Sequence, residues 1–191
     1  MIIVIDDFLD PYLLKGLQAD TDPFNKVDVH DATFWVKRPS PQFMDYVCSS
    51  ICRAENRVIS PILGFFREAN KEQDNTWRIH NDAIIEGKTP ERAAVLYISD
   101  EIEGMGLNGT AFWEHKEKGD SFDGGMDSED YNNVLAECND KSKWTLKSVV
   151  GHKANRLLLY PANYFHSKYP NEFKEARVVF ALFYSYADQA R

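Results

Sequence analysis

The stretch Thr76-Trp77-Arg78-Ile79-His80-Asn81-Asp82 contains a histidine and an aspartate two positions apart. Its pattern predicts a β-strand, and side chains at positions i and i+2 of a strand point to the same side of a sheet. We therefore expect the His80 imidazole and the Asp82 carboxylate to converge on one point. Together they provide two of the three ligands of a 2-His-1-carboxylate iron site, so this interpretation needs a second histidine.

The chain after this stretch has mostly β pattern. Residues 92–99 form a dense apolar run that predicts a strand, with Val95, Tyr97 and Ser99 on one face. Further strands are predicted over residues 110–113, 144–150, 156–160, 164–169 and 176–186. Such a series of strands is typical of a β-sandwich or jelly roll.

The chain before the stretch mixes strands and helices. A strand over residues 2–5 precedes a helix that begins after Asp10, its predicted N-cap, and ends near Ala19. Residues 20–31 read as a polar turn. A second helix begins at Pro41 and carries an apolar stripe, and short strands are predicted over residues 33–36 and 62–67. The fold class is therefore α+β.

We expect one domain over residues 1–191, because the chain is long enough for one substantial core and contains no linker or repeat. Within it, residues 1–75 supply the N-terminal strand and helices, and residues 76–187 supply the β core. Residues 114–143 are polar and rich in Gly, Asp and Lys. A loop of this length inside a compact domain indicates a lid, a binding loop or a partly disordered segment.

A second histidine, His166, follows the turn Pro161-Ala162-Asn163, and Arg177 lies eleven residues further on. If residues 170–173 form a symmetric hairpin loop, His166 and Arg177 are opposed and share a face. A buried arginine between apolar residues requires an anionic partner, because an unpaired buried charge is very costly. That partner is either a ligand or an acidic side chain of the protein itself.

Taken together, His80-x-Asp82, the strand around Tyr97, His166 and Arg177 resemble the Fe(II)- and 2-oxoglutarate-dependent dioxygenases, most closely the prolyl 4-hydroxylase-like branch. The resemblance implies a double-stranded β-helix with the N-terminal helices packed on its outer face. It also implies hydroxylation of a peptidyl residue or small molecule, with O2 as oxidant and with release of succinate and CO2.

The same resemblance implies the roles of the site residues. His80, Asp82 and His166 would be the catalytic metal ligands of Fe(II), and Arg177 and Tyr97 would bind the co-substrate 2-oxoglutarate. The sequence departs from the family at the co-substrate end. The branch commonly has lysine where Arg177 stands, and its wider relatives carry Ser or Thr where this chain has Val179. These departures concern the substrate class and leave the metal ligands intact.

The remaining histidines and the tryptophans have simpler interpretations. His115 is predicted to be a loop residue near the site entrance, with surface exposure favoured over substrate contact, and His30 and His152 are predicted to be surface or turn residues. Trp77, Trp113 and Trp144 are predicted to be core or rim aromatics.

Composition excludes several classes of function. A net charge of -8 argues against a nucleic-acid-binding surface. The same acidity favours basic or neutral substrates, although one buried arginine can outweigh it locally. The three cysteines, Cys48, Cys52 and Cys138, are too few for a disulfide framework, and no signal peptide or apolar membrane span is recognisable. A reducing, cytoplasmic location is the expectation.

Two alternatives to the oxygenase remain. One is a jelly-roll module that binds a metal or ligand without turnover. The other is a zinc hydrolase with the same three ligands, which is disfavoured because no general base accompanies them.

Overall fold

The computed structural model describes residues 1–29, 32–69, 76–100, 107–123, 129–170 and 176–187. The helices are α1 (Pro11–Gln18), α2 (Pro41–Glu55) and α3 (Glu129–Ala136), and a 3-10 turn spans Lys141–Lys143. The strands are β1 (Ile3–Ile5), β2 (Asn25–Val29), β3 (Ala32–Lys37), β4 (Ile59–Ala69), β5 (Arg92–Tyr97), β6 (Gly109–His115), β7 (Trp144–Gly151), β8 (Leu157–Pro161), β9 (His166–Tyr169) and β10 (Arg177–Tyr186). No helix within these ranges is both long and apolar enough to cross a membrane.

The strands form two antiparallel sheets. The larger has the order β1-β8-β5-β10-β4-β3-β2, and the smaller has the order β7-β6-β9. Phe112 of β6 packs with Tyr160 of β8 and Phe183 of β10, so a hydrophobic cluster joins the two sheets. The prediction of a mainly antiparallel β-body with few helices is confirmed. The region between the facing sides of the two sheets is called the cavity below.

The opposite face of the larger sheet packs against α2. The buried side of this helix, Phe43, Val47 and Ile51, belongs to one cluster with Phe66 of β4 and Phe180 of β10. Burial of each of these side chains contributes about 1.5–3 kcal/mol. This layer fixes the outer face of the sheet and leaves the alternate side chains of β4 and β10 to line the cavity.

The starts of both N-terminal helices follow the sequence signals. The Asp10 side chain accepts a hydrogen bond from the Tyr12 N–H, and the Ser40 hydroxyl accepts one from the Phe43 N–H. Proline is at the start of each helix. The predicted beginnings of α1 and α2 are therefore confirmed.

Besides the segment 76–82, three elements differ from their predictions. Residues 25–29 form the edge strand β2, because main-chain pairing with β3 needs no apolar pattern in an exposed strand. The predicted loop 114–143 contains the end of β6, helix α3 and the 3-10 turn. The predicted hairpin is wrong, since β9 pairs with β6 whereas β10 pairs with β4 and β5. The chain changes sheets there, which local symmetry in the sequence does not reveal.

Gly109, the first residue of β6, provides a test of this packing. Its φ is +148°, and a Cβ there would collide with the carbonyl oxygen of Val150. We expect Gly109→Ala to lower the free energy of unfolding by about 3 kcal/mol or more, measured by urea denaturation. Gly16→Ala on α1 is the control, because no described atom lies within 4 Å of the added carbon. Equal stability of both variants would contradict the packing described.

Candidate metal centre

Residues 76–82 do not form a strand, so the strand prediction is wrong. Hydrogen bonds to another segment fix them instead. Arg78 has a left-handed φ of +43°, which interrupts an extended backbone. The Arg78 N–H donates to Asn139 Oδ1 at 2.8 Å, and the Ile79 N–H donates to the Cys138 carbonyl at 3.0 Å. We call the segment 114–143, which precedes β7, the insertion. It therefore supplies the hydrogen bonds that a neighbouring strand would otherwise form with the backbone N–H groups of residues 78 and 79.

His80 and His166 are joined directly through their backbones. They form an isolated antiparallel bridge with N–H to carbonyl distances of 3.0 and 2.8 Å. Their ring centroids lie 4.5 Å apart. This bridge brings together two imidazoles that are separated by most of the β core in the sequence.

Asp82 completes the cluster. Its N–H donates to the Ala162 carbonyl at 2.7 Å, which fixes the backbone opposite the turn before His166. Asp82 Oδ1 lies 3.7 Å from His80 Nε2, and Oδ2 lies 3.3 Å from His166 Nε2. The ligand atoms of all three residues lie within 4.8 Å of one another, and this is the only such trio in the described part of the chain. One ion contacts all three atoms once the widest of these separations closes slightly, because two ligands about 2.0–2.2 Å from one metal lie at most about 4.4 Å apart.

The hydrogen bonds of the two imidazoles direct their Nε2 atoms to the centre. His80 Nδ1 lies 2.8 Å from the Arg78 carbonyl, and His166 Nδ1 lies 3.0 Å from the Tyr164 carbonyl. Because a carbonyl oxygen only accepts, each Nδ1 carries the proton and each Nε2 presents a lone pair. A backbone acceptor of this kind commonly orients a metal-binding histidine.

The electrostatics of the cluster favour a cation at its centre. Desolvation lowers the pKa of His80 well below its usual value, and the adjacent His166 lowers it further, although 32 % of the His80 side chain remains exposed. Desolvation also raises the pKa of Asp82. The imidazole is therefore neutral and able to coordinate, and a bound divalent cation would offset the cost of the buried carboxylate.

Sequence reasoning missed Tyr160, which reaches into this cluster from β8. Its hydroxyl lies 3.1 Å from His166 Nε2 and 3.4 Å from Asp82 Oδ2, and the residue is 2 % exposed. Desolvation and the Asp82 charge raise its pKa well above the usual value, so the phenol keeps its proton. The sequence signal that could have found Tyr160 is the alternation of side chains along a strand. Leu158 and Tyr160 share the cavity face of β8, and Tyr160 is the polar residue on that face.

We expect Tyr160→Phe to weaken iron(II) binding by about tenfold, because groups that orient a ligand typically contribute 10–100-fold. Calorimetric metal titration under argon measures this change. Tyr184→Phe is the matched control, since its buried hydroxyl donates to Glu55 Oε2 at 2.7 Å on the α2 side of the sheet. Identical iron affinities of the two variants would contradict the orienting role.

Arg177 and Tyr97 lie together at another part of the cavity. Arg177 is 6 % exposed, and its Nη1 donates to the Gly109 carbonyl at 2.8 Å. The Tyr97 hydroxyl forms a 2.7 Å hydrogen bond with Thr110 Oγ1, and the Arg177 Cζ lies 5.9 Å from the Tyr97 ring centroid. Burial raises the pKa of Tyr97, so it is a neutral donor or acceptor.

The register of β6 gives the distance between this pair and the metal cluster. Phe112 is opposite His166, and Gly109, which accepts from Arg177, is three residues earlier on the same strand. Three residues of an antiparallel strand span about 10 Å. The distance along β6 between Arg177 and the three candidate ligands is therefore similar to the length that a small dicarboxylate spans with its contacts at both ends.

Two of the other histidines are buried, so the prediction that they lie at the surface is wrong. The His152 ring stacks on Tyr97 with centroids 4.7 Å apart, and its Nε2 bonds the Ser99 carbonyl at 2.8 Å. His115 Nε2 lies 2.8 Å from Glu137 Oε2, and its ring packs against Trp144. His152 supports the wall behind Tyr97, and His115 holds the insertion against β6. His30 lies outside the described residues.

The tryptophans are mainly structural. Trp113 and Trp144 are buried in one cluster with Phe165, and Trp77 is partly buried against the same cluster. The prediction that they are core or rim aromatics is confirmed.

Comparison with known proteins places the fold. No protein-family model matches the chain, and no curated protein matches its sequence. Solved structures do match, among them HygX from Streptomyces hygroscopicus with nickel and 2-oxoglutarate bound (TM-score 0.60, 16% identity, 96% of this chain and 82% of that chain). The non-heme alpha ketoglutarate dependent carbocyclase SnoK from nogalamycin biosynthesis also matches (0.63, 12%, 96% and 78%), as does a prolyl-4-hydroxylase from Pseudomonas putida (0.55, 13%, 96% and 91%).

The chain has the fold of the Fe/2-oxoglutarate-dependent oxygenases. The predicted jelly-roll body is thereby confirmed. At these identities the likeness concerns the oxygenase fold alone, so the chemistry has to be argued from the residues of this chain.

Proposed function

We propose that this chain is an Fe(II)- and 2-oxoglutarate-dependent dioxygenase that hydroxylates a peptidyl residue or a small molecule and releases succinate and CO2. One observation carries the proposal. Two imidazole nitrogens and one carboxylate, from residues 80, 82 and 166, have ligand atoms within 4.8 Å of one another. The oxygenase fold around them supports the same conclusion.

The ligand set fits iron(II) better than a structural zinc. A structural zinc site closes with four protein ligands, whereas a 2-His-1-carboxylate set leaves coordination positions open for small molecules. Among the described residues, no fourth His, Cys, Asp or Glu joins His80, Asp82 and His166. When bound there, iron(II) would supply O2 activation coupled to oxidative decarboxylation of 2-oxoglutarate.

The protein's own contribution to the metal site is orientation and proton control. The Arg78 and Tyr164 carbonyls keep the Nδ1 protons of His80 and His166 in place, so that both Nε2 atoms stay available. Tyr160 keeps its proton and offers it to the Asp82 oxygen on its side, which leaves the other carboxylate oxygen for the metal. These contacts hold the ligands in one geometry before the reaction.

The co-substrate would lie between the metal cluster and Arg177. The guanidinium fork of Arg177 suits the distal carboxylate of 2-oxoglutarate. Tyr97 is beside it, with its hydroxyl already bonded to Thr110. The distance of about 10 Å along β6 is compatible with a five-carbon diacid between the two ends. The buried Phe112 and Phe183 limit access of water to the cavity.

The insertion supports the entrance for the prime substrate. Tyr131 of α3 is 5 % exposed and stacks on Phe122 at 6.0 Å. Burial raises the pKa of Tyr131, and the nearby Asp82 charge raises it further, which is consistent with α3 covering the metal cavity. The residues that follow α3 also supply the backbone contacts that hold residues 78 and 79.

Coupled assays test the proposal. The protein is supplied with Fe(II), ascorbate and 2-oxoglutarate, and succinate formation and O2 uptake are measured together, with Asp82→Ala as the inactive control. We expect both signals in the wild type even without a prime substrate, at the slow rate of uncoupled turnover. Bound iron with neither signal would instead support a metal-binding module without turnover.

A further inference from the structure

The buried His152 lies directly behind Tyr97. It stands in the turn between β7 and β8 and is 6 % exposed. Its ring stacks on the Tyr97 ring with centroids 4.7 Å apart and an angle of 25° between the two planes. A flat contact of this kind limits the positions that both rings can take. His152 therefore helps to hold the Tyr97 hydroxyl where it bonds Thr110 Oγ1 at 2.7 Å.

The imidazole also reaches the backbone next to Arg177. His152 Nε2 lies 2.8 Å from the Ser99 carbonyl, and since a carbonyl oxygen only accepts, Nε2 carries the proton and donates. The Ser99 hydroxyl in turn accepts from the Val178 N–H at 3.0 Å. Val178 directly follows Arg177 in β10. One serine therefore connects His152 to the strand that carries the arginine.

Ser99 lies where the pairing between β5 and β10 ends. The register of these two strands runs as far as Tyr97. Beyond it, the Ile98 N–H donates to the Val178 carbonyl at 3.0 Å, and the Ser99 hydroxyl binds the N–H of the same residue. Tyr97 is the last residue of β5, and Arg177 is the first residue of β10. Both candidate co-substrate residues therefore depend on the contacts at this end of the pairing.

A third contact of His152 leads to the group that accepts from Arg177. The His152 N–H donates to the Asn108 carbonyl at 2.6 Å. Asn108 precedes Gly109, whose carbonyl accepts from Arg177 Nη1 at 2.8 Å. This third contact uses main-chain atoms, whereas the contacts with Tyr97 and Ser99 use the imidazole. A substitution at position 152 therefore removes two of the three contacts and leaves the backbone bond in place.

We propose that His152 is a positioning residue of the co-substrate site and sets the affinity for 2-oxoglutarate without touching it. This inference rests on the proposed oxygenase function and adds a residue behind Arg177 and Tyr97 to its binding site. Groups that are already held in the geometry of the bound state lose little conformational freedom on binding, which raises the affinity. Without the imidazole, Tyr97 and the start of β10 regain freedom that the co-substrate then has to remove.

The test measures two affinities of the same protein by calorimetry, first for Ni(II) in place of iron(II) and then for 2-oxoglutarate on the Ni(II)-loaded protein. We expect His152→Ala to bind 2-oxoglutarate at least about tenfold more weakly, because one hydrogen bond and one ring contact are lost. Its Ni(II) affinity should stay within about twofold of the wild type, since the lost contacts do not involve the three candidate ligands.

Two more variants keep one contact each. His152→Phe keeps a flat ring on Tyr97 but has no donor for Ser99, and His152→Gln keeps an N–H donor without the ring. We expect each to weaken 2-oxoglutarate binding by about threefold, between the wild type and His152→Ala. His115→Gln is the matched control, because His115 is also buried but bonds Glu137 in the insertion. Its affinity for 2-oxoglutarate should equal that of the wild type.

A second probe separates the carboxylate anchor from the rest of the cavity. The compound 2-oxopentanoate carries a methyl group where 2-oxoglutarate has its distal carboxylate, so it offers no group for Arg177 to bind. We expect its weaker binding to the Ni(II)-loaded protein to be the same in His152→Ala and in the wild type. An equal loss of affinity for both probes in His152→Ala would show a general disturbance of the cavity and overturn the inference.

The outcomes distinguish this inference from the proposed function. Wild-type protein that loads Ni(II) but binds no 2-oxoglutarate contradicts the proposed function, and the inference with it. Binding of 2-oxoglutarate that is weakened in Arg177→Ala but equals that of the wild type in the folded His152 variants overturns the inference alone. A parallel loss of Ni(II) and 2-oxoglutarate affinity in the His152 variants would assign His152 to the stability of the fold and also overturn it.

Discussion

Replacing His166 by alanine is expected to weaken iron(II) binding by more than about 100-fold, because loss of an orienting group alone typically costs 10–100-fold. His166 supplies one of three ligand atoms and is bridged to His80 through the backbone. The bridge uses main-chain atoms only, so the variant keeps the position of His80 and loses one imidazole. Anaerobic metal titration with chelator competition measures the affinity, and succinate formation should fall to background.

The control for this variant is His115→Gln. His115 is equally buried but bonds Glu137 in the insertion and has no place in the metal cluster. We expect it to bind one iron per chain as the wild type does. An unchanged iron content in His166→Ala would remove His166 from the ligand set.

Arg177→Ala is expected to raise the apparent KM for 2-oxoglutarate by about 100-fold, because a buried bidentate contact between guanidinium and carboxylate is lost. Iron affinity should stay within about twofold of the wild type, since Arg177 is separated from the ligands by about 10 Å of β6. Steady-state succinate formation at varied 2-oxoglutarate gives the KM, and metal titration gives the iron affinity. The difference between these two readouts identifies a co-substrate anchor.

Arg177→Lys is the conservative counterpart. It keeps the charge but cannot form the two parallel hydrogen bonds of the fork. We expect a KM between those of the wild type and the alanine variant. If the KM of Arg177→Ala equals that of the wild type, Arg177 belongs to the fold through its bond to the Gly109 carbonyl and does not bind the co-substrate.

The three candidate ligands were accessible to sequence reasoning because their chemistry is local. When a histidine and an aspartate are two residues apart, few backbone conformations keep their side chains from pointing to a common side. The turn before His166 separately marks the start of a strand. The strand predicted for the first pair is nevertheless wrong. Residues 76–82 are not a strand, and it is the bonds from Cys138 and Asn139 that hold the backbone in place. The residues of the candidate site were predictable from the sequence. The hydrogen bonds that fix their backbone were not, because they come from residues distant in the sequence.

The other misses have the same origin. A hairpin was expected between β9 and β10, but the two strands belong to different sheets. The sequence between them does not encode which sheet each strand joins. His152 and His115 stand beside charged residues in the sequence, yet both are buried by partners far along the chain. Arg67 reads as the end of a strand until the register across β4 and β10 assigns it to the cavity face.

The most direct test of the central claim is an anaerobic titration of the protein with Fe(II) and then 2-oxoglutarate, followed by visible absorption. In the proposed site, His80, Asp82 and His166 would hold one iron(II) to which the 2-oxo acid would also bind. We expect a charge-transfer band that saturates at one iron and one 2-oxoglutarate per chain and that is absent in His166→Ala. Iron that binds without any spectral response to 2-oxoglutarate would contradict the account.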